Sequence, residues 1–382
     1  MNFHLTDEQE FIQATVRKFI ANECPRDVAR ELDAGRLFPG ELLQELAGLG
    51  FCGLTVPEEC GGAGRNLLGA IMVIEELATI CPTLAGAFAG VALRGGQVIS
   101  ALGSEKQRQD LLPAVADGAL LFSYALGNAA DGATDDPYLT ATRQGEAFYL
   151  NGAQSHVALA DQADCLLTLA HTDEDAGPEH GSTLFIVDTS LPGIQLTEIE
   201  QVGFQGIRLY QVAFEGVELP ADAVLGGADW LNRGWEQARQ IRAVQHVETA
   251  AYGLGIARGA YEYALAYARE RVQFGQPIAQ FEAIQHMLVD VATEIRATRW
   301  LLYQACWLAD QGRPFALEAA MAGVRATDLA RRAALQGLHI LGGYGYTMEY
   351  DAQRYVRDSL ALLDGAETSE LLKNQIGEML GL

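Results

Sequence analysis

The chain has 382 residues, 49% of them apolar, and a formal net charge of −24. That is material for a large buried core in two or three domains or layers. The acidity excludes nucleic acid and anionic lipid as partners, though not a small anion held by a local cluster. No apolar run approaches the roughly 20 residues of a membrane span. The first nine residues lack the basic and apolar regions of a secretory signal, so a cytoplasmic protein is expected.

Thr6 followed by Gln9 is a capping box that opens the first helix. Phe11, Ile12, Val16, Phe19 and Ile20 then recur at helical spacing. Breaks at Phe38-Pro39-Gly40 and from Val56 to Gly62 punctuate a helical region, residues 1–120. Over residues 121–226 the period changes. The segments 148–152, 165–169, 183–187 and 210–214 are short and β-rich, which predicts an antiparallel β barrel or sandwich. The acidic stretch from Thr172 to Pro178 reads as a solvated loop between two strands. Over residues 227–382 long helical runs return at 250–267, 284–307 and 321–341, predicting an antiparallel bundle. The fold class is therefore α+β, mainly α, in the order helices, strands, helices. Six cysteines without a C-x-x-C pair read as free, mostly buried thiols rather than a zinc site or disulfide framework.

That order resembles the acyl-CoA dehydrogenase family, with its helical domain, middle β domain and C-terminal four-helix bundle. The likeness runs nearly end to end. It is carried by Leu54 to Gly64, Gly103-Ser104-Glu105-Lys106-Gln107, Phe214 to Pro220, Arg271 to Ile278, Ile340 to Tyr346, and Arg354-Tyr355-Val356-Arg357-Asp358. The resemblance implies oxidation of an acyl thioester, on CoA or on an acyl carrier protein, between Cα and Cβ. A carboxylate takes the α-proton, FAD takes the β-hydride, and an electron acceptor reoxidises the flavin.

The resemblance also implies an FAD site shared between subunits of a homodimer or homotetramer. In the mate-facing set, Arg271 matches the arginine that approaches the pyrophosphate and Phe274 its packing partner. Gly342 and Gly343 match the glycines that permit close backbone approach, and Gln285 falls in the associated I-Q motif. His339 stands where the family has glutamine. A surface ion pair with Glu270 is the plain alternative for Arg271, and helix–loop packing for the glycines. The flavin-facing set departs further. The family's A-L-T-E-P-x-A-G-S-D reads here as Ala125 to Thr134 without the hydroxyl, acid and proline. Its W-I-T is His156-Val157-Ala158. Thr368 is retained from the motif E-G-T-S-E.

Both usual positions of the catalytic glutamate are changed. In E-G-T-S-E the base position is Ala366; the alternative, counted back from Phe274, is Gln245, followed by His246 where an arginine usually faces the pantetheine. Gln245 can hydrogen-bond a thioester but cannot take a proton. Glu367, one place along, leads as a relocated base; otherwise it is an acid in the first turn of the last helix. Glu248, three residues after Gln245, is the second candidate, with a salt bridge to Arg242 or Arg258 as its plain alternative. His246, substrate-facing by position, is a further candidate base, with a polar rim histidine as its plain alternative. Three readings stay open: a dehydrogenase with a relocated base, a base-less partner subunit in a heteromer, and a different enzyme on this fold.

Overall fold

The computed structural model describes residues 4–127, 139–173, 175–362 and 368–382. Helix α1 (Asp7–Glu23) opens on the expected capping box. The Gln9 N–H donates to the Thr6 hydroxyl oxygen at 3.3 Å, and the Thr6 N–H donates to Gln9 Oε1 at 3.0 Å. After α2 (Arg26–Gly35) and α3 (Gly40–Gly48), the inner helix α4 (Leu67–Ala78) is buried at every residue. Then α5 (Pro82–Ala89), a π-helical stretch (Gly90–Gln97) and α6 (Val98–Leu102) form one apolar rod. By length and composition that rod of 21 residues matches a membrane span, but 89% of its most apolar window is buried inside the fold. Helix α7 (Glu105–Ala116) completes the region.

Among the described residues the β region forms one seven-stranded sheet. Strands β2 (Thr140–Gln144), β3 (Ala147–Ala158), β7 (Leu209–Pro220) and β6 (Ile194–Ile199) pair antiparallel in that order. β4 (Cys165–His171) pairs antiparallel with β5 (Ser182–Asp188). The expected antiparallel sheet is therefore present, with one addition. β1 (Phe122–Ala125) lies parallel to β4, and β2 touches β4 in the same sense at Thr140 and His171. A single turn, α8 (Pro178–Gly181), lies between β4 and β5.

Helix α9 (Gly234–Glu270), 37 residues and so about 55 Å long, runs through the centre of the molecule. Its glycines set how close its neighbours come. A Cβ at Gly255 would lie 2.5 Å from the Ala78 Cβ, and one at Gly259 would lie 2.2 Å from the Thr79 carbonyl oxygen. Charge then clamps α4 to α9. Arg258 donates to Glu75 Oε1 at 2.8 Å and to Glu76 Oε1 at 2.9 Å, while Arg299 and Tyr303 also bind Glu75. Helices α10 (Glu282–Asp310) and α11 (Ala316–Leu341) pack on α9, and α12 (Ala352–Ala361) and α13 (Ser369–Met379) complete the bundle. A short hairpin, β8 (Val272–Gln273) and β9 (Gln276–Pro277), was not visible in the sequence. Its turn holds Phe274 and Gly275 at φ of 49° and 85°, the double left-handed conformation of a tight hairpin.

Five of the six cysteines are buried, Cys60 partly so, and all are free thiols. Among the described residues no group of acids, histidines and cysteines is arranged to hold a metal.

Candidate active site

A cleft with about 240 Å³ of accessible space opens where the sheet meets α9 and the end of α12. Each wall has a local cause. In β3 the register against β7 slips between Gln154 and Val157, and His156 takes a φ of 58°. Such a bulge re-aims side chains, and here Ser155 and His156 line the cleft. Gly127, after β1, has a φ of 64°, a left-handed conformation that favours glycine, and a Cβ there would have to displace the Gln154 amide, 2.4 Å away. The Ser123 hydroxyl donates to the Ala158 carbonyl and ties β1 to β3. On α9, Gln245, Glu248, Thr249 and Tyr252 share one face at i, i+3, i+4 and i+7 and all line the cleft. Opposite them stand Ala361 and Leu362, directly before residues 363–367.

The floor is charged. Arg94, from the π-helical stretch, donates to Glu248 Oε1 at 2.7 Å, and both residues are buried. The Tyr252 hydroxyl donates to the same oxygen at 2.8 Å, and the Arg94 guanidinium lies over the Tyr124 ring at 5.3 Å. Burial works against the charge on Arg94, but the facing Glu248 carboxylate overcomes it and raises the pKa above the ordinary value. Burial, followed by the charge of Glu248, pushes both tyrosine hydroxyls well up, so they remain neutral donors. Glu248 thus has the salt bridge that was its plain alternative, with a partner 154 residues away rather than with Arg242 or Arg258.

A third wall comes from the loop before β7. Phe204 packs edge-to-face on Tyr252 with ring centres 5.6 Å apart, and its N–H donates to Asp358 Oδ1 at 2.8 Å. Burial pushes the Asp358 carboxyl up to about 6. The Gln201 amide braces the loop by donating to the carbonyls of Gly203, Phe204 and Ile207.

The expected site residues fall into separate places. Gln245 and Glu248 are in the cleft. His246 is buried, does not line it, and lies beside Gly323 of α11. Glu367 lies outside the described residues, as do Ala366 and 128–134 of the flavin-facing segment. Thr368 caps α13, its hydroxyl accepting from the Leu371 N–H at 3.4 Å. Arg271, Phe274, Gln285, His339, Gly342 and Gly343 are all exposed at the bundle, away from the cleft. There the Arg271 guanidinium lies 5.8 Å from the Tyr344 ring, and Phe274 sits edge-on to Phe281 at 6.2 Å. Sequence reading missed Arg94, Tyr124 and Tyr252. The signal for Arg94 was there: a lone charge inside the apolar rod must be paired if buried.

Family models for the N-terminal, middle and C-terminal domains of acyl-CoA dehydrogenase match residues 6–119, 131–217 and 232–381. The chain belongs to the acyl-CoA dehydrogenase family. A benzylmalonyl-CoA dehydrogenase of Aromatoleum aromaticum is 36% identical over 375 residues, 98% of each chain. A probable acyl-CoA dehydrogenase of Bacillus subtilis is 32% identical over all of both chains. The solved butyryl-CoA dehydrogenase of Megasphaera elsdenii superposes with a TM-score of 0.93 at 29% identity, covering 100% of each chain. Family membership makes this a flavoprotein fold of the oxidoreductase type, with the helical, β and helical domains in the order observed.

Proposed function

We propose that this chain is an FAD-dependent oxidoreductase of acyl thioesters, carried on CoA or an acyl carrier protein, with its base moved from both usual positions to Glu367. One observation carries the reading: a single cleft gathers Gly127, the 155–158 bulge, Gln245 and the end of α12. These are the segments that in the family meet flavin, Cα and base. The cleft fits a flavin edge, because the Ser155–His156 bulge and Gly127 open its β-domain wall. Bound FAD would accept the β-hydride. Gln245 would orient the thioester by hydrogen bonding but hold no proton. Glu248 is poorly suited as the base: taking up a proton would leave Arg94 buried without its counter-charge, at a cost of several kcal/mol.

The exposed set Arg271, Phe274, Gln285, His339, Gly342 and Gly343 would hold the far end of FAD bound in a neighbouring subunit. With Phe274 at 94%, Tyr346 at 86% and Met348 at 75% exposure, this face suits a homodimer or homotetramer in the cytoplasm. Thr368, already a helix cap, has an exposed hydroxyl free to add a bond to the cofactor. An electron acceptor must dock to complete turnover.

A second reading has its own support. Among the described residues, Glu248 is the one carboxylate lining the cleft, and it is engaged. That favours a base-less subunit that completes the flavin site of a base-bearing mate in a heteromer. Two variants separate the readings by single-turnover bleaching of the flavin with an acyl-CoA panel. If the base has moved, Glu367→Gln retains flavin and abolishes bleaching. Wild-type bleaching that survives Glu367→Gln ends the relocated-base reading. A protein that never bleaches, but gains weak bleaching in Gln245→Glu, supports the partner-subunit reading.

A further inference from the structure

The cleft has an open end and a closed end, and burial along α9 tells them apart. Arg242 and Gln245 are half-buried, whereas Glu248 and Tyr252, one and two turns beyond Gln245, are buried. Arg242 lies one turn to the other side of Gln245 and puts its guanidinium at the open end, 5.7 Å from the Trp235 ring. At the closed end Arg94 and Tyr252 both donate to Glu248 Oε1, so a guanidinium, a carboxylate and a phenol are locked together across the slot. The atoms left over, Arg94 Nε, Glu248 Oε2 and the Tyr124 hydroxyl oxygen, have no open surface, so the packing behind the pair is closed to any ligand. Phe204 covers the same end from the sheet side, edge-on to Tyr252. A Cβ on Gly86 would lie 3.1 Å from Ile207, so little room is left between α5 and the loop before β7.

We propose that the Arg94–Glu248 pair is a stop at the end of the acyl slot, restricting the chain to short acyl groups of about five carbons or fewer. The proposal rests on the reading above in taking the thioester to lie beside Gln245. One helical turn from Gln245 to Glu248 is a rise of about 4.5 Å. An extended chain advances about 1.2 Å per bond, so roughly four bonds separate the thioester carbon from the stop. The stop does not yield, for a reason of magnitude. Burying one more methylene is worth about a fourfold gain in affinity. Pushing Arg94 off Glu248 leaves a buried charge uncompensated and costs about a hundredfold or more. The roughly three methylenes by which an octanoyl group overruns the stop do not recover that loss. Apolar side chains in the same places would make way at far smaller cost.

The test is calorimetric binding of butyryl-CoA and octanoyl-CoA to the purified protein, with flavin bleaching recorded in parallel. In an open apolar slot the longer chain would bind tighter by its methylene increments. With the stop in place, butyryl-CoA is expected to bind at least about tenfold tighter. Arg94→Ala with Glu248→Ala removes both partners at once, leaves no lone charge and should reverse the order. Arg94→Leu with Glu248→Leu serves if the alanine pair does not fold, because apolar replacement of a buried pair is often neutral or stabilising. It should narrow the butyryl preference several-fold. Octanoyl-CoA binding as tightly as butyryl-CoA in the wild type, or tighter, would overturn the proposal, as would binding of neither. So would an unchanged preference in either folded double variant. A butyryl preference without bleaching would uphold the stop and end the dehydrogenase reading; bleaching with an octanoyl preference would do the reverse.

Discussion

Replacing Arg258 with Met tests whether charge, and not only packing, holds the central helix to the N-terminal region. Arg258 is 6% exposed and donates to both Glu75 and Glu76, which are themselves buried on α4. Methionine keeps most of the volume but removes the charge. Glu75 retains Arg299, at 2.6 Å, and the Tyr303 hydroxyl at 2.9 Å. Glu76 retains Gln13 and Arg17, at 2.8 and 3.0 Å, but Arg17 is more than half exposed. Breaking one side of a buried pair costs about 3–5 kcal/mol. Unfolding entropy at about 2.1 cal/mol/K per residue converts that into a fall in Tm of roughly 4–6 °C for a chain of this length. The pH dependence has a definite sign. Burial works against the charge on Glu76, but Arg258 and then Arg17 hold its carboxyl below the ordinary value of 4.5. The wild type therefore gains stability from Glu76 above that value and loses it as pH falls through the lowered one. The variant has forfeited this gain, so its deficit is full at pH 7 and shrinks on acidification. Calorimetric scans at pH 7 and pH 4 read both quantities. A Tm within about 1 °C of the wild type at pH 7, or a deficit as large at pH 4, would refute the reasoning.

Asp358→Asn should do the opposite. With its carboxyl pushed up to about 6 from an ordinary 3.8, the wild type loses stability as pH rises through that window. The variant does not titrate and keeps an oxygen for the Phe204 N–H, so its advantage should grow by on the order of 3 kcal/mol between pH 4 and pH 7; equal urea midpoints for the two proteins across that range would contradict this. Phe274→Asp places a charge on the exposed hairpin tip and should shift the assembly toward monomer in light scattering at micromolar concentration. An unchanged mass would remove that face from the interface.

Much of the fold was legible because its signals are local. The Thr6–Gln9 box, the change from helical to alternating period near residue 121, and the long apolar runs of the bundle are written within a few residues of where they act. Helix geometry likewise fixes that Gln245 and Glu248 share a face. His246 is turned about 100° from Gln245 on the same helix and packs toward α11 instead of the cleft, which counting back from Phe274 did not convey. The parallel pairing of β1 with β4 was hidden because the alternation of a strand does not name its neighbour.

By itself, the sequence determined the order helices, strands, helices, the first helix, the long runs of the bundle and four of the strands; that neither usual base position carries an acid is what its resemblance to the family implies. The tertiary structure alone decided what stands in the cleft instead. Arg94 meets Glu248 across 154 residues of chain. It does so because a charge in the apolar rod is tolerated only where the fold supplies a counter-charge, and sequence spacing carries no trace of such a long-range pairing.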